Sequence, residues 1–216
     1  MRRSRNTAGR QVITTDIPYV TVFAGIPDTY ANLFYKSHYA FYYIYEYISK
    51  EFEWYMKKSV FLEADDDTYI IVEHLKRYLS TLNPNKPYYL GHLRKRILKH
   101  GYNSGGAYIL SKAALKLYNE LAYQNKTKCP DAKNEDVGIG SMDIYPHDTR
   151  NSKGQNRFNS FTPSDIFHST GTPLDRINYG EKKGYEAFAS DLISFHHLTP
   201  DDMRLFDILL YRLDKP

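Results

Sequence analysis

Residues 60–75 read VFLEADDDTYIIVEHL: an apolar run, three consecutive aspartates, then apolar positions at helical spacing. Asp65, Asp66 and Asp67 repel one another, so placing them side by side requires either water or a cation to hold them. Their flanks predict a strand before and an amphipathic helix after, with Asp67 or Thr68 able to cap that helix and Ile71, Leu75 and Leu79 on one stripe. In an open α/β sheet, ligands bind in the crevice outside the carboxyl ends of the strands. Alternate residues of an extended segment face the same way, so Asp65 and Asp67 could share one side while Asp66 turns to the other. Two oxygen donors on one side suit a hard divalent cation, which can in turn hold nucleotide phosphates. The triplet alone leaves open both this reading and a turn solvated by water.

Outward from the triplet, the apolar periodicity switches repeatedly between the two secondary-structure periods. Residues 1–16 read as a flexible tail and 17–216 as one folded domain. The segment 19–25, YVTVFAG, reads as a strand, and 31–52 as a long helix carrying an aromatic stripe. Two strands are expected before the aspartates, Trp54 to Lys57 and Val60 to Ala64. After the amphipathic helix ends at Pro84 and Pro87, 88–93 and 106–110 predict further strands, and Ser111 can cap a helix over 112–124. A polar, loop-rich region runs to about Ser190. It is followed by a strand-like run at 191–198 and a closing helix at 201–213. Strands alternating with helices predict a layered α/β domain.

Composition narrows the function classes. The chain has 216 residues, 42% hydrophobic and 25% charged, enough for a single core and typical of a globular protein. Its 21 tyrosines suit surfaces that contact sugars, peptides or bases, although most are expected half buried. The net charge of +4 is modest, and the densest basic cluster, 92–100 (HLRKRILKH), comes without any nucleic-acid-binding motif. Cys129 is the sole cysteine and cannot form an intramolecular bridge. No stretch reaches the roughly 18–20 apolar residues that span a bilayer, and the basic N-terminus is not followed by the apolar core of a secretory signal. The sequon at Asn125 would matter only in a secretory compartment.

Three other segments carry candidate chemistry. Gly105 and Gly106 precede a strand and allow a backbone to approach a ligand closely, although a plain turn would also use them. Glu135 and Asp136 open a glycine-spaced turn, 134–140 (NEDVGIG), which could present a general base or simply start a helix. His196 lies in an apolar run, where a histidine is more often a hydrogen-bonded core residue than a ligand.

Taken in order, ADDDTYIIVEHL, YNSGGAYILSKAAL, CPDAKNEDVGIG, DTRNSKGQNRFNSFTP and DLISFHHL resemble the core 1 beta-1,3-galactosyltransferases, part of the wider beta-1,3-glycosyltransferase family that includes Fringe. The resemblance spans about residues 30–213. It implies an α/β fold of GT-A type, with a nucleotide-sugar-binding sheet flanked by helices. It also implies an inverting transfer of galactose from UDP-galactose to the 3-hydroxyl of N-acetylgalactosamine on serine or threonine of a glycoprotein. The cofactor implied is Mn2+, with Mg2+ as the alternative. By the same resemblance Asp67, Asp65 and His196 would hold the metal. Asp65, Asp66, Gly105, Gly106 and Glu135 would contact the donor, and Asp136 would be the base. A Golgi type II membrane protein is implied, with homodimerisation open.

The chain also departs from the family pattern. The match begins near the family's third strand, and MRRSRNTAGRQVITT takes the place of the anchor, stem and first two strands. About six residues near 58–63 are extra relative to the single strand expected before the aspartates. Cys129 matches a family cysteine whose partner is replaced within GSMDI. Two other readings therefore stand beside the galactosyltransferase: an inactive scaffold or glycan-binding module, and a Fringe-like transfer of N-acetylglucosamine.

Overall fold

The computed structural model describes residues 25–27, 29–48, 52–58, 67–95, 97–123, 134–142, 144–168 and 182–213. Outside them fall Asp65, Asp66 and Cys129, the sequon, the strand expected at Val60–Ala64, and all of the 19–25 strand except Gly25.

A 3₁₀ turn, Tyr30–Asn32, leads into α1, Leu33–Tyr43, and a π-helical turn, Ile44–Ile48, follows, while Phe52, the expected helix end, is not helical. Strand β1 covers Trp54–Lys58. The amphipathic helix, α2, spans Val72–Leu79, but a two-residue strand, β2 (Tyr69–Ile70), separates it from the aspartates. The helix N-cap is therefore Ile71, which makes no side-chain cap, and not Asp67 or Thr68 as the sequence suggested. The cause is tertiary. Strand β2 pairs with β5, Ser194–Phe195, and Ile71 N–H donates to Ile193 O at 2.8 Å, so the chain stays extended past the aspartates before turning. The other α-helices and β-strands among the described residues are β3 (Tyr89–Arg94), β4 (Tyr102–Ser111), α3 (Lys112–Tyr118), α4 (Glu135–Gly140), α5 (Pro163–Phe167) and α6 (Pro200–Asp207).

The main sheet has the order β1-β4-β3, and every ladder among the described residues is antiparallel. Parallel pairing occurs as single bridges, for example Phe158 with Ser194. Alternation along β4 divides the core into two layers. Tyr108 and Leu110 pack with Phe41, Tyr118 and Ile139 of α1, α3 and α4, whereas Ile109 packs with Leu75, Phe158 and Ile193. Helices thus cover the sheet, as the mixed periodicity predicted.

Ser111 caps α3 as expected and does more. Its fully buried hydroxyl accepts from Ala114 N–H at 3.1 Å and from Tyr88 N–H at 2.9 Å, and donates to Lys86 O at 2.6 Å. Ser111→Ala would strand two buried N–H donors, so unfolding free energy should fall by about 2–3 kcal/mol in a denaturant titration. A loss below about 0.5 kcal/mol would show that water replaces the hydroxyl.

The registry of β3 on β4 is broken at one place. Leu90 faces Ile109 and His92 faces Ser104, so Gly91 alone stands opposite residues 105–108. Strand β4 bulges there. Gly91 makes room for the bulge, since a Cβ on it would lie 2.8 Å from Asn103 Cβ and 3.3 Å from Tyr108 Cβ. Bulges of this kind re-aim a strand beside functional sites.

Candidate metal centre

The bulge carries Gly106 up against Thr68 and His196. A Cβ built on Gly106 would lie 1.5 Å from Thr68 Oγ1 and 2.7 Å from His196 Cδ2, so only glycine fits. The sequence read this glycine as giving close approach to a ligand. In the structure the approach is to the Thr68 side chain and the His196 ring.

Asp67 lies where the aspartate run meets β2, and His196 directly follows β5. The β2–β5 pairing and a hydrogen bond from Leu198 N–H to Asp67 O, at 3.0 Å, fix the two segments together. His196 Nε2 comes within 3.1 Å of Asp67 Oδ1, and His197 Nδ1 within 3.4 Å of Asp67 Oδ2. These three residues each bring one ligand atom into a group lying within 4.8 Å of one another. His196 is buried, His197 is more than half exposed, and Asp67 is in between. Burial, and then the neighbouring His196, hold the His197 pKa below the usual imidazole value.

Two observations fit this donor set to a divalent cation. Thr68 Oγ1 is buried and makes no hydrogen bond among the described residues, and buried Asp67 Oδ1 makes none beyond its 3.1 Å approach to His196 Nε2, an arrangement costly unless another group completes it. The donors themselves, one carboxylate and imidazole nitrogens, are ordinary ligands for manganese and its neighbours.

His197 went unread in the sequence, because adjacent residues of a strand normally point to opposite faces. It takes φ of 61°, the one non-glycine residue in the left-handed region among those described. That turn folds its ring onto His196, with centroids 3.8 Å apart at 23°. The doubled histidine was the available signal.

The other candidate carboxylates lie at α4. Glu135 is buried and accepts a hydrogen bond from Tyr108 Oη at 2.6 Å, two residues along β4 from Gly106. Burial, and then the Glu135 carboxylate, raise the Tyr108 pKa well above its ordinary value. Glu135 thereby ties α4 to the sheet. Gly140 completes the seat, since a Cβ there would come within 2.5 Å of Tyr102 Cβ. Asp136, half exposed in the first turn, accepts from Val137 N–H at 2.8 Å. Strand β4 therefore links the metal-type cluster at Gly106 to the Glu135–Asp136 turn.

No protein-family model matches the chain. Among curated proteins, the glycoprotein-N-acetylgalactosamine 3-beta-galactosyltransferase 1 of Xenopus laevis is 31% identical over 218 residues, covering 92% of this chain. The chain is related to the core 1 beta-1,3-galactosyltransferase family. It spans 56% of that relative's length. The mixed architecture, an antiparallel curled sheet flanked by helices, is consistent with an α/β glycosyltransferase fold.

Proposed function

We propose that this chain is a metal-dependent inverting glycosyltransferase that moves galactose from UDP-galactose to the 3-hydroxyl of N-acetylgalactosamine on serine or threonine of glycoproteins. The observation that carries the reading is the convergence of Asp67 and His196, distant in sequence, on one point beside Gly106. The 31% identity to a galactosyltransferase supports the reaction class.

A divalent cation bound there, manganese or magnesium, would act as a Lewis acid on the charge that develops as the diphosphate departs. Asp67 and His196 would hold it, with Asp65 beside Asp67 and with Asp65 and Asp66 toward the nucleotide. Gly106 lies against Thr68 and His196, and Gly105 and Gly106 would line the donor, as the resemblance implies. Asp136 would accept the proton of the attacking acceptor hydroxyl. One displacement inverts the anomeric carbon, so a second nucleophilic carboxylate is not needed, in contrast to a retaining glycosidase. Glu135, anchored by Tyr108, keeps Asp136 at the start of α4.

The relationship to a galactosyltransferase supports a Golgi location, and we extend the proposal to a type II membrane enzyme. Among the described residues no helix is long and apolar enough to cross a membrane.

Calorimetry of UDP on the purified chain tests the reading. Binding should require manganese, disappear with chelator, and disappear in Asp67→Ala. A panel of UDP-sugars would then separate galactose from N-acetylglucosamine transfer. If the folded chain binds no UDP with or without metal, the transferase reading falls and an inactive scaffold remains.

A further inference from the structure

We propose that His197 is a third protein ligand to the metal, making the centre a two-histidine, one-carboxylate site with a preference for nitrogen-seeking ions. The inference rests on the metal reading above and extends it to the composition of the ligand set.

The geometry of the three side chains supports it. An ordinary strand would send His196 and His197 to opposite faces, yet both rings lie on the Asp67 side. The left-handed backbone at His197, φ 61°, is what brings them together. The two carboxylate oxygens are divided between the imidazoles, Oδ1 at 3.1 Å from His196 Nε2 and Oδ2 at 3.4 Å from His197 Nδ1. Neighbouring ligands of an octahedral ion with bonds of about 2.1 Å stand about 3 Å apart, close to both separations. His197 lies on the solvent side, with the Phe161 ring 6.3 Å from its own. It would therefore close the outer edge of a site that His196 closes from within.

A second imidazole alters which metals bind well. Carboxylate and water ligands suit magnesium and manganese, whereas imidazole favours cobalt, nickel and zinc. The effect of removing His197 should therefore be larger for cobalt than for manganese.

Cobalt and manganese would each be titrated calorimetrically into the wild-type chain, His197→Gly, His197→Ala and Asp67→Ala, with the visible spectrum of bound cobalt recorded. Glycine suits the left-handed position, so His197→Gly removes the imidazole while keeping the backbone turn. The expected result is a loss of cobalt affinity of about tenfold or more in both His197 variants, with a smaller loss for manganese. The cobalt absorption should also move to longer wavelength as an oxygen replaces a nitrogen. Unchanged cobalt affinity and spectrum in His197→Gly, with binding abolished in Asp67→Ala, would overturn the proposal and leave the Asp67–His196 reading standing. Absence of metal binding in the wild-type chain would overturn both.

Discussion

Gly106→Ala is expected to weaken metal binding by about tenfold or more while leaving every proposed ligand in the chain. The added methyl would lie 1.5 Å from Thr68 Oγ1, and rotating that hydroxyl away does not solve the problem, because Thr68 Cβ and His196 Cδ2 would remain at 2.8 and 2.7 Å. Backbone must move, either in the segment carrying Asp67 or at the end of β5. Overpacking of this kind costs about 1–3 kcal/mol, and a ligand displaced by about 1 Å no longer meets its partners. We expect manganese affinity to fall at least tenfold and the unfolding free energy to fall by about 2 kcal/mol. Combining Gly106→Ala with Thr68→Ala should recover part of the stability, since the worst contact is removed and neighbouring substitutions are not additive. Wild-type metal affinity in Gly106→Ala would show that the ligands do not depend on this contact.

The second large effect concerns turnover alone. Asp136→Asn keeps an oxygen able to accept from Val137 N–H, so the first turn of α4 should survive. What it removes is the basic carboxylate. Loss of a positioned general base lowers rate by about 10²- to 10⁴-fold, and that is the expected drop in galactose transfer. Affinity for UDP with manganese should stay within about twofold, because Asp136 is assigned to the acceptor side of the reaction. Loss of nucleotide binding together with turnover would remove Asp136 from the role of base.

Much of the scaffold was legible because local chemistry and tertiary structure agree there. The alternating runs at 88–93 and 106–110 became β3 and the end of β4, and the hydroxyl of Ser111 at a strand-to-helix junction became a cap. The closing helix also begins as local rules require: Thr199 accepts from Asp202 N–H and Asp202 accepts from Thr199 N–H, a reciprocal cap. Legibility failed where long-range pairing overrode propensity. Asp67 and Thr68 have good capping side chains, but β5 recruits the next two residues into a ladder and moves the helix start to Val72. The inward turn of Glu135 depends on Tyr108, a partner that no local pattern points to.

The same contrast holds at the candidate site. The triplet alone left a cation and solvating water both open, and of its three carboxylates Asp67 is the one within the described residues. The bulge that seats Gly106 results from unequal strand lengths in the register, which periodicity does not reveal. His197 escaped notice because one backbone angle, which local pattern does not show, brings its ring beside His196 and Asp67.

The pairing of β2 with β5 also has a consequence for biogenesis. It joins residues 69–70 to residues 194–195, more than 120 positions apart in sequence, and the candidate ligands come from both sides of that join. A growing polypeptide cannot assemble the centre until His196 has emerged and the long loop between has been closed, a late and entropically demanding event. Cation capture would then have to wait for that closure, and a chain cut short before residue 196 would retain its aspartates without His196 to oppose them.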